Sequence, residues 1–328
     1  MLSIFRTNQL MASVILVIYA LFLRFWTLVY VDEWEPQSAG ILAKWVYDMV
    51  GTKGWLPDSL AILLVFVQAW MLNALVLRDR LGRDANLFSG VFFILICSAL
   101  PPFLHLSPLH MANFFYILAV YELFSIYKKP SCTVNLFNTG LWMALGSFFY
   151  PSYIVLLLLA ILAINTLRSL RIQDILIVLS GAFVPYLYLG VYYFWTNRFA
   201  KFLSEEFPIQ FGWPVLSVPS PLMYYISMVF FVILCLIVLF SWSNFLMKHI
   251  IQVQKKINIL FAGLFVALLG AFLVPVLTLD FLLFLAVPLG ILISFNFTNM
   301  PRQMAEVVHL IGLISIFYLQ YLSFHHFM

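Results

Sequence analysis

Eleven apolar segments recur along the chain, and most of the turns between them are short. The segments are residues 9–30, 59–77, 86–100, 111–127, 137–149, 151–167, 175–195, 222–246, 259–277, 280–297 and 305–323. A helix needs about 20 apolar residues to cross the bilayer core, and shorter helices are tolerated inside a bundle. Charged residues make up only 9% of the chain, whereas an average soluble domain carries about 25%. We therefore predict an all-α fold, a polytopic membrane helix bundle of about 11 transmembrane helices that forms one integral membrane domain over residues 1–328.

Residues 137–167 allow two interpretations, either two short helices that turn at Tyr150 and Pro151 or one long kinked helix. Lys and Arg are retained on the cytoplasmic side of a membrane, so their distribution distinguishes the two. Two helices with a cytoplasmic N-terminus place 12 cations inside and 4 outside, whereas one helix gives 8 and 8. The inner 12 are Arg6, Arg78, Arg80, Arg83, Lys128, Lys129, Arg168, Arg171, Lys248, Lys255, Lys256 and Arg302, and the outer 4 are Lys44, Lys53, Arg198 and Lys201. We predict eleven crossings, with the N-terminus cytoplasmic and the C-terminus outside.

On this topology most carboxylates lie outside, and all of them except Asp280 are in two longer loops at residues 31–58 and 196–221. They are Asp32, Glu33, Glu35, Asp48, Asp58, Glu205, Glu206 and Asp280. Within the first loop, AGILAKWVYDMVG has helical spacing of apolar residues and predicts a short amphipathic helix in the membrane interface. The second loop ends rich in Pro and is predicted to cover part of the outer face.

The acidic group Asp32, Glu33 and Glu35 follows the first crossing directly. Carboxylates there suit a divalent metal or a general base toward an acceptor hydroxyl, and the alternative is a set of solvated loop charges. Arg24 lies roughly 9 Å deeper at helical rise. Its guanidinium suits the phosphate of a lipid-linked substrate, and equally it suits Asp32 or the lipid headgroups.

Histidines and isolated carboxylates are the other candidates for chemistry. His105 and His110 are predicted on the outside, where imidazoles bind phosphate or transfer protons, although their spacing also fits a structural role. Glu122 is predicted to be a buried, hydrogen-bonded acid, and Glu306 is predicted to pair with His309. The sequence has no CxxC pair and no metal-ligand spacing, so it predicts no metal site, and it identifies no cofactor.

Three stretches carry a resemblance over most of the chain: LSPLHMANFFYILAVYELFSIYKK, NLFNTGLWMALGSFFYPSYIVLLLLAILAI and VPYLYLGVYYFW. They resemble an uncharacterised family of bacterial multi-pass inner-membrane proteins, which implies that location and names no activity.

A more distant resemblance rests on the first helix with LFLRF, the acidic pair Asp32 and Glu33, the interfacial helix and the short-looped crossings. This plan is similar to the membrane module of GT-C glycosyltransferases, which transfer sugars from polyprenyl-phosphate donors. The resemblance implies that Asp32 or Glu33 is the catalytic acidic residue and that Arg24 or His105 faces the donor phosphate.

The leading hypothesis is therefore a GT-C-like protein that transfers sugar from a polyprenyl-phosphate-linked donor in cell-envelope assembly. Asp32 and Glu33 are its predicted catalytic residues, and Arg24, Glu35, His105 and His110 are predicted to bind substrate. The alternatives are a non-catalytic subunit or scaffold of an envelope machine with protein partners, and a lipid flippase or transporter. Membrane lipids are expected partners and nucleic acid is not, because a basic inner face suits an anionic leaflet.

Overall fold

The computed structural model describes residues 2–6, 10–29, 36, 38–82, 85–206, 215–216, 221–247, 249–274 and 276–326, and the fold over these residues is helical. The α-helices are α1 Leu10–Leu23, α2 Phe25–Val29, α3 Ile41–Val50, α4 Trp55–Arg78, α5 Phe88–Ile96, α6 Pro108–Phe124, α7 Thr133–Phe149, α8 Leu156–Leu167, α9 Ile172–Trp195, α10 Phe199–Glu206, α11 Pro221–Phe240, α12 Trp242–Met247, α13 Ile251–Gly270, α14 Ala286–Asn299 and α15 Arg302–His326. Short 3-10 helices lie at Leu2–Arg6, Pro101–Leu104, Pro151–Val155, Ala271–Leu273 and Leu279–Leu285. The strands β1 Val215–Leu216 and β2 Val276–Leu277 pair in parallel.

Six helical stretches in the described chain are long and apolar enough to cross a membrane. They are Trp55–Arg78, Ile172–Trp195, Tyr225–Met247, Ile251–Leu273, Leu279–Asn299 and Arg302–Tyr321. The all-α class is confirmed, and these helices support a multi-pass membrane protein. Other predicted crossings are shorter, and α5 has only 9 residues, which is about 14 Å at helical rise.

The predicted hairpin at Tyr150 and Pro151 is confirmed. Helix α7 ends at Phe149, Tyr150 is extended with φ −140° and ψ 106°, and Pro151 begins the 3-10 turn that leads into α8. The residue before a proline is disfavoured in the helical region, which explains the break. Arg168, directly after α8, contacts the Sγ atom of Cys132, directly before α7. The two helices therefore run antiparallel.

The bundle has two chemically different ends. The basic end carries Arg6, Arg78, Lys128, Lys129, Arg168, Lys255 and Lys256. There, Asp79 accepts from Lys256 Nζ at 2.6 Å and from Arg78 Nη2 at 2.7 Å, which joins the C-terminus of α4 to the N-terminal part of α13. The opposite end, here named the α3 end, contains α3, the Tyr150 turn and the segment between α5 and α6.

Burial differs sharply between the centre and the periphery. In Leu279–Asn299, 89% of the apolar stretch is buried, against 17% in Ile172–Trp195. Every residue of α5 is buried, and α5 packs on α14, with Ser89 Oγ 2.9 Å from Ser294 Oγ. Helix α9 meets α7 at very close range, because a Cβ on Gly140 would collide with the Val178 carbonyl. Helices α5 and α14 therefore form the core of the bundle.

Candidate functional site at the α3 end

Helix α3 confirms the predicted amphipathic helix. Its inner face buries Ile41, Ala43 and Tyr47, while Trp45 and Met49 are exposed on the other side. The Gly40 N–H donates to the Phe149 carbonyl at 2.9 Å, and a Cβ at Gly40 would collide with the Phe148 carbonyl. Glycine therefore allows α3 to begin directly against the end of α7. Contact of its exposed face with the membrane interface stays a prediction.

A half-open pocket of about 470 Å³ lies beside α3. Its volume is in the range of ligand sites, about 300–1,000 Å³. The walls come from α3, the Tyr150 turn, α10 and the residues after α13. Both polar and apolar residues line it: Pro36, Ser38, Ala39, Lys44, Tyr47, Asp48, Thr52, Pro151, Ser152, Ile154, Ser204, Leu273 and Val274. A mixed lining of this kind suits a molecule with both polar and apolar parts.

Segment 97–107, between α5 and α6, is mostly irregular backbone next to the core. Helix α5 ends at Ile96, a 3-10 turn follows at Pro101–Leu104, and Ser107 caps the N-terminus of α6. Irregular backbone in a membrane protein is tolerated where protein groups satisfy its N–H and C=O groups. Several side chains from distant parts of the chain do so here.

Arg24 supplies most of these hydrogen bonds. Its side chain is fully buried. Its Nη2 donates to the carbonyls of Cys97 at 2.6 Å and Phe103 at 2.8 Å, and Nη1 donates to Leu104 O at 3.0 Å. Nε donates to Ser98 Oγ at 3.3 Å. All four acceptors are neutral, and the C-terminal dipole of α5 adds negative potential at Cys97. Arg24 therefore fixes segment 97–107 against the first helix.

His110 of α6 lies beside the Arg24 side chain, and we name these two residues with the carbonyls that they contact the Arg24 cage. Its Nε2 lies 2.6 Å from Phe103 O and 3.2 Å from Arg24 Nη2. The shorter contact identifies Nε2 as the protonated nitrogen, because two acceptors at 2.6 Å would repel. Gln68 Nε2 donates to the His110 carbonyl at 2.6 Å. The imidazole is thus part of the buried framework.

Two further side chains secure the same segment from opposite sides. Tyr47 donates its hydroxyl to Leu106 O at 2.6 Å, which links the pocket wall to the segment. Burial, and then the nearby Asp280 carboxylate, raise the pKa of Tyr47 above its ordinary value, so the hydroxyl stays a donor at neutral pH. Gln320 of α15 donates to Ser98 O at 2.7 Å.

His105 pairs with a carboxylate at the start of α4. Its Nδ1 lies 3.3 Å from Asp58 Oδ1, and both side chains are 7% exposed. Asp58 stands in the first turn of α4, where a negative charge is stabilised by the helix dipole. The pair joins the segment between α5 and α6 to the start of α4.

The predicted site residues lie in different parts of the structure. Asp32, Glu33 and Glu35 lie outside the described residues. Arg24 and His110 come together in the cage, whereas His105 binds Asp58, and none of these three described residues lines the pocket. Their predicted roles in substrate binding stay predictions.

The other isolated carboxylates have partners that sequence reasoning did not identify. Glu122 accepts from Asn135 Nδ2 at 2.5 Å and from Asn138 Nδ2 at 3.3 Å. Glu306 accepts from the N–H groups of Leu2 and Ser3, while His309 Nε2 lies 3.0 Å from Tyr19 Oη. Glu306 and His309 therefore have different hydrogen-bond partners instead of each other.

Sequence reasoning also missed Asp280. It is the second residue of the 3-10 helix Leu279–Leu285 and is only 8% exposed, and its Oδ1 has no hydrogen-bond partner among the described residues. A single Asp between two apolar segments is typical of an exposed turn. The sequence therefore contained no indication that Asp280 is buried, apart from its isolation among apolar residues.

The resemblances to an uncharacterised bacterial membrane family and to GT-C glycosyltransferases stay predictions. The fold adds no homology argument to either of them. No protein-family model, curated protein or solved structure matches this chain.

Proposed function

We propose that this chain is a GT-C-like enzyme of the bacterial inner membrane that transfers a sugar from a polyprenyl-phosphate-linked donor during envelope assembly. The pocket beside α3 carries the proposal. Pro36 and Ser38, which line it, are the first described residues after the acidic group Asp32, Glu33 and Glu35. Residues that line the pocket therefore directly follow, in the sequence, the carboxylates that the proposed reaction needs.

The proposed topology has eleven crossings with the α3 end outside. It is supported by the antiparallel hairpin of α7 and α8, because that hairpin is the arrangement that gives the 12 to 4 distribution of cations. Arg78, Lys255 and Lys256 meet at the basic end, which then faces the cytoplasm.

The proposed chemistry is glycosyl transfer by a carboxylate base. Asp32 or Glu33 accepts the proton of an acceptor hydroxyl, and the hydroxyl oxygen attacks the anomeric carbon. The bond from that carbon to the phosphate oxygen breaks, and polyprenyl phosphate leaves with the electron pair. Lys44, which lines the pocket, supplies a positive charge for the phosphate. Arg24 acts indirectly in this scheme, by holding the segment that Tyr47 contacts.

A transfer assay tests the proposal directly. The protein in lipid nanodiscs receives polyprenyl-phosphate sugars and envelope-glycan acceptors, and the release of polyprenyl phosphate and the labelled product are measured. The double variant Asp32→Asn with Glu33→Gln is expected to lose transfer by at least about 100-fold, the lower range for a general base. Asp174→Asn, a carboxylate change at the basic end, is the matched control and retains transfer. Full activity in the double variant contradicts the proposal.

A non-catalytic subunit of an envelope machine is the second proposal, and one observation favours it. Only 17% of the apolar stretch is buried in each of Ile172–Trp195 and Tyr225–Met247, so both helices present a wide apolar face. Lipid acyl chains cover such a face in an isolated bundle, and a helix of another membrane protein can pack on it in their place. Tolerance of the acidic double variant, together with a partner that remains bound after mild purification, is the outcome that favours this role.

A further inference from the structure

Tyr127, in the turn that follows α6, lies near two ammonium groups from different parts of the chain. Lys128 Nζ is 5.6 Å and Lys255 Nζ of α13 is 5.8 Å from the centre of its ring. A cation within about 6 Å of the centre of an aromatic ring is attracted to that ring. The ring therefore holds two positive charges close together, and we name these three residues the Tyr127 site.

The positive charges of the Tyr127 site have no carboxylate partner, in contrast to those beside them. Arg78 and Lys256 share the carboxylate of Asp79, at 2.7 Å and 2.6 Å. Among the described residues, neither ammonium group of the Tyr127 site has an ion pair, and the Tyr127 hydroxyl has no hydrogen bond. The site therefore offers two ammonium groups and one phenol O–H as donors to an anion.

Lys128 also has a backbone conformation that a lysine adopts only at a cost. Its φ is +55°, in the left-handed region, where a Cβ is disfavoured and glycine is not. Glycine is the usual residue where a chain leaves a helix in this conformation. Backbone strain of this kind clusters at binding sites. A lysine at this position therefore indicates that its side chain has a use that glycine cannot replace.

The Tyr127 site lies at the level where two long apolar helices meet the membrane surface. The stretch Trp55–Arg78 ends at the basic end, and the stretch Ile251–Leu273 begins there, with Lys255 about one turn inside it. Tyrosine is enriched at this level, where the headgroups of the lipids lie. A phospholipid therefore carries its phosphate to the depth of these donors.

We propose that the Tyr127 site binds the phosphate headgroup of an anionic phospholipid. The two ammonium groups neutralise the phosphate, and the Tyr127 hydroxyl donates to one of its oxygens. A zwitterionic headgroup suits the site less well, because its own ammonium group would be repelled by Lys128 and Lys255. The site is independent of the proposed function, because it lies at the opposite end of the bundle from the pocket beside α3.

Lipid binding to the full chain in detergent tests the site. Native mass spectrometry measures the Kd of the first bound dioleoylphosphatidylglycerol and, separately, of dioleoylphosphatidylcholine. Wild type is expected to bind the anionic lipid at least about tenfold more tightly. Lys128→Gly and Lys255→Gln are each expected to weaken its binding about fivefold, the factor for one lysine at an anionic membrane surface. Binding of the zwitterionic lipid should not change.

Melting temperatures without added lipid separate binding from folding. Lys128→Gly removes the side chain from a left-handed backbone, so it is expected to melt at or above the temperature of wild type. Lys255→Gln keeps a good helix former in α13 and is expected to melt as wild type does. A lysine that only held the turn against Tyr127 would lower the melting temperature on replacement and leave the lipid affinity unchanged, and this result overturns the proposal.

Controls distinguish the Tyr127 site from a general effect of charge. Arg171→Gln removes an exposed cation outside the site and is expected to keep the wild-type affinity for phosphatidylglycerol. Inorganic phosphate and a hexaglutamate peptide, at matched ionic strength, are expected to leave the lipid bound. Displacement by either of them, an equal loss of affinity in Arg171→Gln, or equal affinity of wild type for the two lipids overturns the assignment to an anionic phospholipid.

Discussion

Segments 97–107 and 279–285 both interrupt the regular helices at the α3 end, but their polar groups are satisfied to different degrees. The carbonyls of segment 97–107 receive hydrogen bonds from Arg24, His110, Tyr47 and Gln320. In segment 279–285, Asn113 binds the Leu283 carbonyl, yet Asp280 Oδ1 has no donor among the described residues. The carbonyls of segment 97–107 are capped by side chains from distant helices, although His110 Nδ1 and Gln320 Oε1 on those side chains have no partner. Segment 279–285 differs in that its unsatisfied atom is a carboxylate oxygen.

This difference in hydrogen bonding predicts that substitutions in the two segments have different effects on the free energy of unfolding. Each satisfied hydrogen bond contributes about 1 kcal/mol, while a buried group left without its partner costs about 1–3 kcal/mol. Segment 97–107 is therefore expected to depend strongly on its capping side chains. Asp280 is expected to contribute nothing to stability, because its Oδ1 is buried without a donor among the described residues.

Arg24→Met is expected to have the largest effect. It removes the donors to Cys97, Phe103 and Leu104 at once and leaves their carbonyls unsatisfied in the core. The expected loss in the free energy of unfolding is about 3 kcal/mol or more, measured by denaturant titration in detergent micelles. Arg24→Lys keeps the charge but not the planar fork, so an intermediate loss is expected. An Arg24→Met variant as stable as wild type would remove the distinction between the two segments.

Gln320→Leu tests the same segment from the last helix. The change keeps the side-chain volume and removes the donor to Ser98 O. The carbonyls of Ser98 and Leu23 both lose a donor, but the change also removes the buried Gln320 Oε1, which has no hydrogen-bond partner. The expected loss is therefore about 1–2 kcal/mol, less than for Arg24. The matched control is Gln303→Leu, an exposed position on the same helix, for which no loss is expected. Equal effects of the two changes on the unfolding curve would contradict a capping role.

Tyr47→Phe sharpens the comparison where the pocket meets segment 97–107. The ring stays, while the hydroxyl that donates to Leu106 O is lost. The expected loss is about 1 kcal/mol in the unfolding free energy. The control is Tyr318→Phe, because Tyr318 is 60% exposed and the change should have no effect. A loss as large as that of Arg24→Met would show that Tyr47 does more than cap one carbonyl.

The all-α class and the multi-pass character were predictable from periodicity and charge, whereas six helical stretches in the described chain, and not eleven, are long and apolar enough to span a membrane. The turn at Tyr150 and Pro151 follows from proline geometry and from the distribution of cations, and the contact between Arg168 and Cys132 confirms it. The amphipathic pattern of α3 was equally clear. The segment 86–100 was less predictable, because its apolar composition did not show that regular helix ends at Ile96.

The site was much less predictable, because its contacts join residues far apart in sequence. Arg24 was correctly noted as a charge inside the first helix, but its acceptors are carbonyls more than 70 positions away, which no pattern of side chains reveals. His105 and His110 lie five residues apart, yet one binds Asp58 and the other joins Arg24. His105 lies on the irregular segment before α6 and His110 lies on α6 itself, so the path of the segment and the rotation of the helix determine which partner each imidazole meets.

Asp280→Asn is expected to have the smallest effect on stability, and it decides the comparison. The amide has the same shape as the carboxylate, and it removes a charge that is buried without a counter-ion among the described residues. The free energy of unfolding should therefore stay equal or rise by up to about 1 kcal/mol. Asp58→Asn, which breaks the pair with His105, should instead lower it by about 1–3 kcal/mol. If Asp280→Asn destabilises as much as Asp58→Asn, the carboxylate is a structural group, and segment 279–285 is as dependent on its side chains as segment 97–107.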